Sequence, residues 1–385
     1  MAKNAQKTAV VIIPTYNESA TIGDMIDYLF DKTFPSIKDW QMKLLVVDDT
    51  SPDGTYKVVQ QKQHKYKNLF LSLSKEKAGI GTAYVRGFRY AMKELDADVV
   101  IEFDGDFQHP PETIPVMLGE IDNGADYVLG SRKIKGGSNP KGWGFKRVFF
   151  SEFGGLTARF ILFFPFKNFF TITDPTGGLK ASRVKGFVDT MDLDHLYSRS
   201  FAYKLEFLYK MIHLKAKIKE IPLEFGLRES GASKIEPQTA KEILFTVIKL
   251  RWFDPFTQKF LKFGTVGFIG YVVNAVGLAI VFNLSRIEWL AWLVSTEIAI
   301  ISNFTWNNLW TFKAEKISGL AMLAKKFLQF NFTSIGALLI QTVSGAGLVY
   351  LTSVNRQLLL PFIIVFLVLP YNWTMYNVFI WKKKK

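Results

Sequence analysis

The stretch VVIEFDGDFQHPPE, residues 99–112, joins a hydrophobic, β-branched run to two carboxylates, Asp104 and Asp106, one residue apart. The run is typical of a buried parallel strand, and ligands of open α/β sheets bind at the carboxyl ends of such strands. Two neighbouring carboxylates repel each other unless a cation lies between them, and hard oxygen ligands suit Mg²⁺ or Mn²⁺ held together with substrate phosphates. The same residues also fit a turn with two solvated aspartates, so their function depends on the rest of the chain.

The composition limits the classes of site that the chain can build. It has 385 residues, a net charge of +14, 35 Phe and 9 Trp, and no Cys. Without cysteine there are no disulfides, no thiolate zinc ligands and no thiol nucleophile. A basic chain can bind nucleic acid or an anionic membrane surface. The distribution of its apolar residues favours the membrane, so we expect no nucleic-acid partner.

The last third of the chain is apolar enough to cross a bilayer several times. After Leu261 the only acidic residues are Glu288, Glu297 and Glu315, and one span needs about 20 apolar residues. Tryptophans near the ends of the apolar stretches are typical of the aromatic belts at membrane interfaces. We therefore predict four transmembrane helices, at about residues 263–284, 289–311, 327–351 and 358–381.

Lysines are concentrated in the segments on one side of these spans. Lys259 and Lys262 precede the first span, four lysines lie between the second and third, and four more end the chain. The positive-inside rule then places both termini and the large N-terminal part in the cytoplasm. The N-terminus has no apolar segment typical of a signal peptide. These patterns predict an integral membrane protein with a cytosolic N-terminal region.

The N-terminal part alternates strand-like and helical segments, which predicts a Rossmann-like α/β domain with a largely parallel sheet. Polar residues follow several of the strands, so we expect the site at the edge where those strands end. The predicted strands are residues 8–13, 43–47, 69–73, 99–103 and 127–130.

Two further segments are predicted to lie in the membrane interface. Residues 157–170 are rich in Phe, are too short to span a bilayer and contain Pro165. This composition is typical of an interfacial helix, and a buried core helix is the alternative. Residues 243–253 are the second candidate, because they lead into the first predicted span.

Short motifs follow one another along residues 8–240. They are PTYNE at 14–18, VVDDTSPDGT at 46–55, DGDFQHPPE at 104–112 and GSR at 130–132. As a set they resemble the family 2 glycosyltransferases with a GT-A fold. KAGIGTAY at 77–84 and SGASK at 230–234 narrow the resemblance to the dolichol- and polyprenol-phosphate mannose synthases. The last third resembles the GtrA-like membrane domain that is fused to the synthase in some members.

The resemblance implies an inverting, metal-dependent transfer of mannose from GDP-mannose to the phosphate of a polyprenyl (dolichyl) phosphate in the lipid bilayer. Its cofactor would be Mg²⁺ or Mn²⁺. With the hydropathy pattern, it also implies three parts. These are a cytosolic GT-A catalytic domain at residues 1–242, an interfacial helix or linker at 243–258 and an all-α, four-helix transmembrane domain at 259–385.

The resemblance also assigns roles to single residues. The catalytic residues would be Asp104, Asp106 and Arg132, and the metal ligands Asp104, Asp106 and Gln108. The acceptor phosphate would bind at Arg132, Lys146, Arg147 and Ser151. A solvated lysine is an equal alternative for Lys204, and a charged membrane-facing surface is the alternative for the group from Lys146 to Ser151. The donor-binding residues would be Pro14, Tyr16, Glu18, Val47, Asp49, Asp104, Gly105, Asp106, Lys204, Arg228 and Lys234.

The chain departs from the family pattern at three places. Gly105 occupies a position where Ala is common, and we expect this difference to be harmless. DPTGGLK at 174–180 replaces the family's Asp-Pro-Thr-Ser-Gly-Phe-Arg, so we expect the acceptor side to be shaped differently. Asn308 stands where the GtrA-like pattern usually has Arg, which leaves the role of that position open.

Two other functions stay open on the sequence. A glucosyltransferase that uses UDP-glucose on the same acceptor would share most motifs, although the pattern Gln108-His109-Pro110 favours mannose. A lipid-linked sugar transporter or flippase would use the membrane helices as its functional part, but Glu297 is the one charged residue within the predicted spans. Lipid length, the choice between Mg²⁺ and Mn²⁺ and the oligomeric state are also left open.

Overall fold

The computed structural model describes residues 6–227, 237–352, 354 and 356–382. The chain divides into two compact units, Met1–Arg251 and Trp252–Lys385. Among the described residues, the first unit contains the whole β-sheet and eight α-helices, and the second unit is helical. The predicted fold class, an α/β domain followed by an all-α region, is confirmed.

The first unit is built on a mixed sheet of seven strands in the order β3-β2-β1-β4-β6-β5-β7. Only β6 runs antiparallel to its neighbours within this sheet, so β1, β2, β4 and β5 point the same way and their carboxyl ends share one edge. The strands are β1 (Lys7–Thr15), β2 (Trp40–Asp48), β3 (Leu69–Leu73), β4 (Val99–Glu102), β5 (Tyr127–Ser131), β6 (Lys180–Arg183) and β7 (Ile218–Pro222).

The five predicted strands correspond to β1–β5, with β1 and β2 longer than expected. The prediction of a largely parallel sheet is confirmed, and the one exception within it is β6, which is antiparallel to β4 and β5. Neither β6 nor β7 was predicted. The sequence KASR of β6 is too short and polar to give a strand pattern, because its burial depends on the neighbouring strands.

Helices cover both faces of the sheet, so its central strands are buried on both sides. In β1 the alternation of side chains sends Val10 and Ile12 into one core and Val11 and Ile13 into the other. The helices of this unit are α1 (Ile22–Tyr28), α2 (Thr55–Gln63), α3 (Ile80–Glu94), α4 (Thr113–Asp122), α5 (Phe145–Phe163), α6 (Asn168–Thr171), α7 (Tyr203–His213) and α8 (Pro237–Trp252).

Helix α5 corrects the prediction for residues 157–170, because the helix begins much earlier, at Phe145. Its face with Ala158 and Leu162 is buried in the core, with 1% and 2% of those residues exposed. The opposite face is apolar and exposed, with Phe145 83% and Phe150 69% exposed. The segment therefore has features of both a buried core helix and an interfacial helix, because one face belongs to the core and the other is apolar and exposed. Its location at a bilayer stays a prediction.

The second unit contains long helices in the region of the predicted spans. Among the described residues, α9 is the one helix that is long and apolar enough, by length and composition, to cross a membrane. The other three predicted spans concern α10, α11 and the helical stretch from Arg356 to Ile380, and they stay predictions. The helices are α9 (Pro255–Ser285), α10 (Glu288–Trp306), α11 (Leu320–Thr352), α12 (Arg356–Ile363) and α13 (Leu369–Met375), with π-helical turns at Asn307–Thr311, Ile364–Val368 and Tyr376–Ile380.

Asn308, the departure from the GtrA-like pattern, has a structural role in the second unit. Its side-chain oxygen accepts hydrogen bonds from the Ile317 amide at 2.8 Å and from the Trp381 indole at 3.0 Å. Its amide nitrogen donates to the carbonyl oxygen of Ile317 at 3.0 Å. The Trp381 ring in turn stacks on Phe312, with ring centroids 4.5 Å apart. Asn308 thus joins the end of the chain to the turn after α10.

Two helical glycines give a matched test of the packing between helix and sheet. A Cβ atom at Gly87 in α3 would lie 2.6 Å from Cγ2 of Ile12 and 3.2 Å from Cγ2 of Val47, whereas at Gly119 in α4 it would meet nothing within 4 Å. Alanine favours a helix over glycine by about 1 kcal/mol, but overpacking a core costs about 1–3 kcal/mol. We predict that Gly119→Ala raises the free energy of unfolding and that Gly87→Ala lowers it, measured by thermal unfolding. Equal effects of the two changes would contradict the close contact between α3 and β1.

Candidate active site

A cavity of about 560 Å³ lies at the edge where β1, β2, β4 and β5 end. Its wall contains residues that directly follow these strands, as the sequence pattern predicted. Most of the predicted site residues line this one cavity: Pro14, Tyr16, Glu18, Asp49, Asp104, Gly105, Asp106, Gln108, Arg132, Arg147 and Lys204.

Of the remaining predicted residues, Val47 and Ser151 are described by the structure and are not among those that line the cavity. Val47 is fully buried in the core on the side of α3, so its side chain cannot contact a donor there. Ser151 lies half-buried on α5. Lys146 belongs to the same helix, but its side chain lies outside the described residues, as do Arg228 and Lys234.

The strand-end carboxylates are held by their own turn. Asp106 is 2% exposed, and its Oδ1 accepts a hydrogen bond from the backbone N–H of Gln108 at 3.2 Å. The side-chain nitrogen of Gln108 donates to the carbonyl oxygen of Gly226 at 3.3 Å. This bond fixes which end of the amide is the oxygen, so Gln108 can offer Oε1 as a ligand. Gly105 packs closely on β1, because a Cβ there would lie 3.0 Å from Cγ2 of Ile13.

His109 packs against Asp104, the first of the two strand-end aspartates, and the sequence did not indicate this contact. The backbone N–H of Asp104 donates to Nδ1 of His109 at 3.1 Å, which places the ring proton on Nε2. That nitrogen lies 3.5 Å from Oδ2 of Asp104. The ring is fully buried, and burial lowers its pKa although the Asp104 charge acts in the opposite direction. The ring is therefore neutral at pH 7.

The oxygen atoms of this turn fit a hard divalent cation. No cluster of three or more His, Cys, Asp or Glu side chains close enough to hold a metal exists in the described part of the chain. Asp104, Asp106 and Gln108 instead offer two carboxylates and one amide oxygen on the same cavity wall. Mg²⁺ is commonly bound by one or two carboxylates together with substrate phosphates, so this donor set is suitable.

The β1/β2 side of the cavity contains paired charges that the sequence prediction missed in part. Oδ1 of Asp49 accepts a hydrogen bond from Nη2 of Arg86 at 2.9 Å. The Lys77 ammonium lies 4.0 Å from the centroid of the Tyr16 ring. Lys77 was visible as part of a motif, but its contact with Tyr16 depends on the fold, and nothing in the sequence pointed to Arg86.

The β5 side of the cavity is basic and aromatic. The Arg147 guanidinium lies 4.1 Å from the Trp143 ring centroid, and Trp143 packs edge-on against Phe225. Lys204 is 1% exposed, and a Cβ at Gly178 would lie 3.0 Å from its Nζ atom. The alternative of a solvated lysine at position 204 is therefore wrong. Trp143 gave no signal in the sequence, because a single tryptophan in a loop has no periodicity and belongs to no motif.

Arg132 follows β5 and forms a two-point ion pair with Asp174. Its Nε atom donates to Oδ2 at 2.6 Å and its Nη2 atom to Oδ1 at 2.8 Å. The Arg132 and Asp174 side chains are 9% and 2% exposed. Asp174 belongs to the segment that departs from the family pattern, and the sequence prediction gave it no role.

Comparisons with known families match both parts of the chain. Residues 10–188 match the family described as "Glycosyl transferase family 2", and residues 262–381 match "GtrA/DPMS, transmembrane domain".

Two mannosyltransferases are similar to this chain over more than 60% of its length. The dolichol-phosphate mannosyltransferase of Pyrococcus furiosus is 35% identical over 303 residues, which cover 79% of this chain and 80% of that protein. The undecaprenyl-phosphate mannosyltransferase of Micrococcus luteus is 32% identical over 243 residues, covering 63% of this chain and 93% of that protein.

Among solved structures, glucosyl-3-phosphoglycerate synthase from Mycobacterium tuberculosis, solved with Mn²⁺, UDP and phosphoglyceric acid, has a TM-score of 0.46 and 17% identity. The match covers 64% of this chain and 78% of that structure.

Proposed function

This chain belongs to the family of dolichol- and polyprenol-phosphate mannosyltransferases, and from that premise we propose its full reaction. Mannose is transferred from GDP-mannose to the phosphate of a membrane polyprenyl or dolichyl phosphate, with inversion at the anomeric carbon and with a divalent cation. One observation carries the proposal: a single cavity of about 560 Å³ contains the strand-end carboxylates, with Tyr16, Glu18 and Asp49 on one side and basic residues on the other.

The β1/β2 side of the cavity suits the nucleoside of the donor. The Lys77 ammonium lies over the Tyr16 ring, and both residues line the cavity together with Glu18. The Asp49 carboxylate follows β2, and its Oδ1 is paired with Arg86. Its Oδ2 accepts a long hydrogen bond of 3.4 Å from the backbone N–H of Ala78 and can accept a second one from a base or ribose. These contacts would hold GDP with the diphosphate directed toward β4.

The metal would bind at Asp104, Asp106 and Gln108. A divalent cation there supplies positive charge that stabilises the departing diphosphate. The protein's own contribution is to hold this turn in place before the substrate arrives. The Asp106 carboxylate accepts from the Gln108 backbone, the Gln108 side-chain amide donates to Gly226, and the Asp104 backbone donates to His109. Preorganised groups of this kind need no rearrangement during the reaction.

The acceptor needs no general base, because a phosphate monoester is already an anion at neutral pH. Its oxygen attacks the anomeric carbon on the face opposite the departing diphosphate, so an α-linked donor gives a β-linked product. The enzyme must position two anionic substrates and neutralise the leaving group. Arg132, Arg147 and Lys204 line the β5 side of the cavity and are suited to that task. By the resemblance, Lys146, Ser151, Arg228 and Lys234 would assist.

The exposed aromatic face of α5 and α6 is proposed to contact the bilayer beside the cavity. Phe145, Phe149 and Phe150 begin this face, and Arg147 in the same helical turn lines the cavity. The acceptor phosphate would then be reached at the level of the lipid headgroups. We further propose the arrangement implied by the sequence: a catalytic domain at residues 1–242, an interfacial linker at 243–258, four spans within 259–385, and both termini in the cytoplasm.

The donor assay tests the sugar and the nucleotide. We predict that the purified protein in detergent transfers labelled mannose from GDP-mannose to a polyprenyl phosphate, and that UDP-glucose gives at most a few per cent of that rate. The one-bond carbon–hydrogen coupling at C1 of the product, measured by NMR, identifies the β anomer. Faster transfer from UDP-glucose would replace mannose with glucose, and an α product would exclude a single inverting step.

Asp106→Asn tests the metal site. The change keeps the shape of the side chain but removes a charged ligand, so we predict a loss of roughly 100-fold or more in kcat/KM, equal to about 2.8 kcal/mol. Binding of Mn²⁺ to the protein with GDP, followed by electron paramagnetic resonance, should weaken in parallel. Asp122→Asn is the control, because Asp122 bonds to Lys7 and Trp40 and is not among the residues lining the cavity. Full activity of Asp106→Asn, or of the wild type in EDTA, would contradict the metal site.

A truncated chain tests the role of the helical unit. Every described residue assigned to the cavity precedes α9, so we predict that residues 1–253 bind GDP with the affinity of the full chain. Transfer to a long polyprenyl phosphate should fall strongly, because an amphipathic helix alone gives weak and reversible membrane attachment. Transfer to a short, soluble prenyl phosphate should fall much less. Loss of GDP binding would show that the first unit depends on the second, and equal losses with both acceptors would show that the helices do more than hold the enzyme at the bilayer.

A further inference from the structure

The hydrogen bonds of Arg132 leave only part of its guanidinium for a ligand. Nε and Nη2 donate to the two oxygens of Asp174 at 2.6 and 2.8 Å, and the backbone N–H of Arg132 donates to Oδ2 at 3.1 Å. The Nε–Nη2 edge of the guanidinium is therefore used for hydrogen bonds inside the protein. A phosphate in the cavity would be offered the Nη1 atom, which carries two N–H groups.

Asp174 is itself held firmly by the neighbouring strand. Its backbone N–H donates to Oε1 of Glu220 on β7 at 3.0 Å. The same carboxylate accepts hydrogen bonds from the backbone and hydroxyl of Thr173 at 2.7 and 2.8 Å, and Thr173 is in turn 2.8 Å from the Ser131 hydroxyl. Asp174 is thus fixed between β5 and β7, so its carboxylate can determine where the arginine points.

The turn after Asp174 completes this arrangement. The Thr176 hydroxyl accepts a hydrogen bond from Nη2 of Arg132 at 3.2 Å and donates to Oδ1 of Asp174 at 3.1 Å. A Cβ at Gly177 would lie 2.6 Å from the carbonyl oxygen of Gly130, so the side chain must be absent for the turn to pack this closely on β5. The glycine that replaces the family's serine therefore has a direct structural consequence beside Arg132.

The pair stays ionised and adds no net charge. Burial acts to raise the pKa of the Asp174 carboxyl, but the hydrogen bonds and charge of Arg132 outweigh it and hold that pKa below its usual value. Burial likewise acts to lower the pKa of Arg132, and Asp174 outweighs it. A neutral pair cannot attract a phosphate from a distance, but it can present N–H donors in a fixed direction.

The position of Arg132 indicates which substrate phosphate it faces. In the sheet order, β5 lies on the other side of β4 from β1 and β2, where the nucleoside is proposed to bind. The Arg132 guanidinium lies over the Phe225 ring, 5.8 Å from its centroid. Phe225 packs against Trp143, and the Arg147 guanidinium lies over the Trp143 ring. This chain of contacts leads to the start of α5, whose exposed aromatic face is the proposed membrane side.

We propose that Asp174 is a positioning residue, which holds the Arg132 guanidinium so that Nη1 faces the phosphate of the lipid acceptor and not the donor diphosphate. The inference rests on the proposed function for the identity of the acceptor. The positioning of Arg132 by Asp174 can be tested independently of that function, because binding of a prenyl phosphate can be measured without transfer.

The test compares the dissociation constants of two ligands, geranyl phosphate and GDP, by isothermal titration calorimetry on the full chain. We expect Asp174→Asn to raise the dissociation constant of geranyl phosphate about tenfold and to leave that of GDP within about twofold. Geraniol, which lacks the phosphate, should bind equally to both proteins. Asp126→Asn is the matched control, because Asp126 pairs with Arg183 at 3.2 Å at the opposite end of β5. It should change neither constant.

A double-mutant cycle separates positioning from general stability. If Asp174 acts through Arg132, then Asp174→Asn should have an effect of less than twofold on geranyl phosphate binding when Arg132→Gln is already present. Thr176→Val leaves the ion pair intact and removes one support of the guanidinium. It should shift the same constant in the same direction by about two- to threefold, and it keeps the test valid if Asp174→Asn does not fold.

Three outcomes would overturn the inference: unchanged geranyl phosphate binding in Asp174→Asn, a parallel loss of GDP binding, or fully additive effects in the cycle. Absence of geranyl phosphate binding by the wild type would also overturn it. A wild-type protein that shows the predicted cycle but transfers no mannose would instead refute the proposed function and support the positioning role of Asp174.

Discussion

Two fully buried ionisable residues, Glu102 and Lys180, hold together the elements that carry the site. Glu102 on β4 and Lys180 on β6 are partners in the sheet register, and both are fully buried. The Tyr203 hydroxyl donates to Glu102, and Nζ of Lys180 donates to the carbonyl oxygen of Lys204 at 2.7 Å. Burial raises the pKa of Glu102 and lowers that of Lys180 to about 7, in each case against the effect of the partner's charge. These two hydrogen bonds attach the start of α7 to β4 and β6, and breaking them would leave buried polar groups without a partner, at a large cost in free energy. Asp104 and Lys204 are fixed relative to each other for this reason.

The walls of the cavity follow the same principle on a smaller scale. Asp49 with Arg86 and Arg132 with Asp174 are charges paired within the protein at 2.9 Å and 2.6 Å. Such pairs contribute little net charge, but they hold hydrogen-bond donors and acceptors in fixed directions before a substrate arrives. Fixed dipoles stabilise developing charge better than groups that must first reorient. A site for two anionic substrates also benefits from limited net charge, because an excess of free cations would bind either phosphate in either place.

The sequence predicted those features that depend on local pattern and missed those that depend on partners distant in the chain. β1–β5 are β-branched runs followed by polar residues, and the cavity lies where those runs end. β6 carries a lysine and a serine that are buried only because β4 and β5 enclose them, and β7 ends at Pro222, which a strand tolerates at the edge of a sheet. His109 and Asp174 were visible in motifs, yet their roles arise from contacts with a backbone N–H and with an arginine 42 residues away. Val47 is the reverse case, since its place in a motif suggested donor contact but its side chain lies on the core face of β2.

Helix α5 connects the cavity to an exposed apolar surface. Arg147, in its first turn, lines the cavity, while the neighbouring Phe145 and Phe149 are exposed. One buried face, with Leu162 and Phe163, fixes the helix to the sheet core, so the aromatic face cannot rotate independently of the site. If that face rests at the lipid headgroups, the depth of the cavity below the membrane surface is determined by the packing of a single helix. This geometry explains why an enzyme with a lipid acceptor would bury one face of α5 as part of its core and leave the other apolar and exposed.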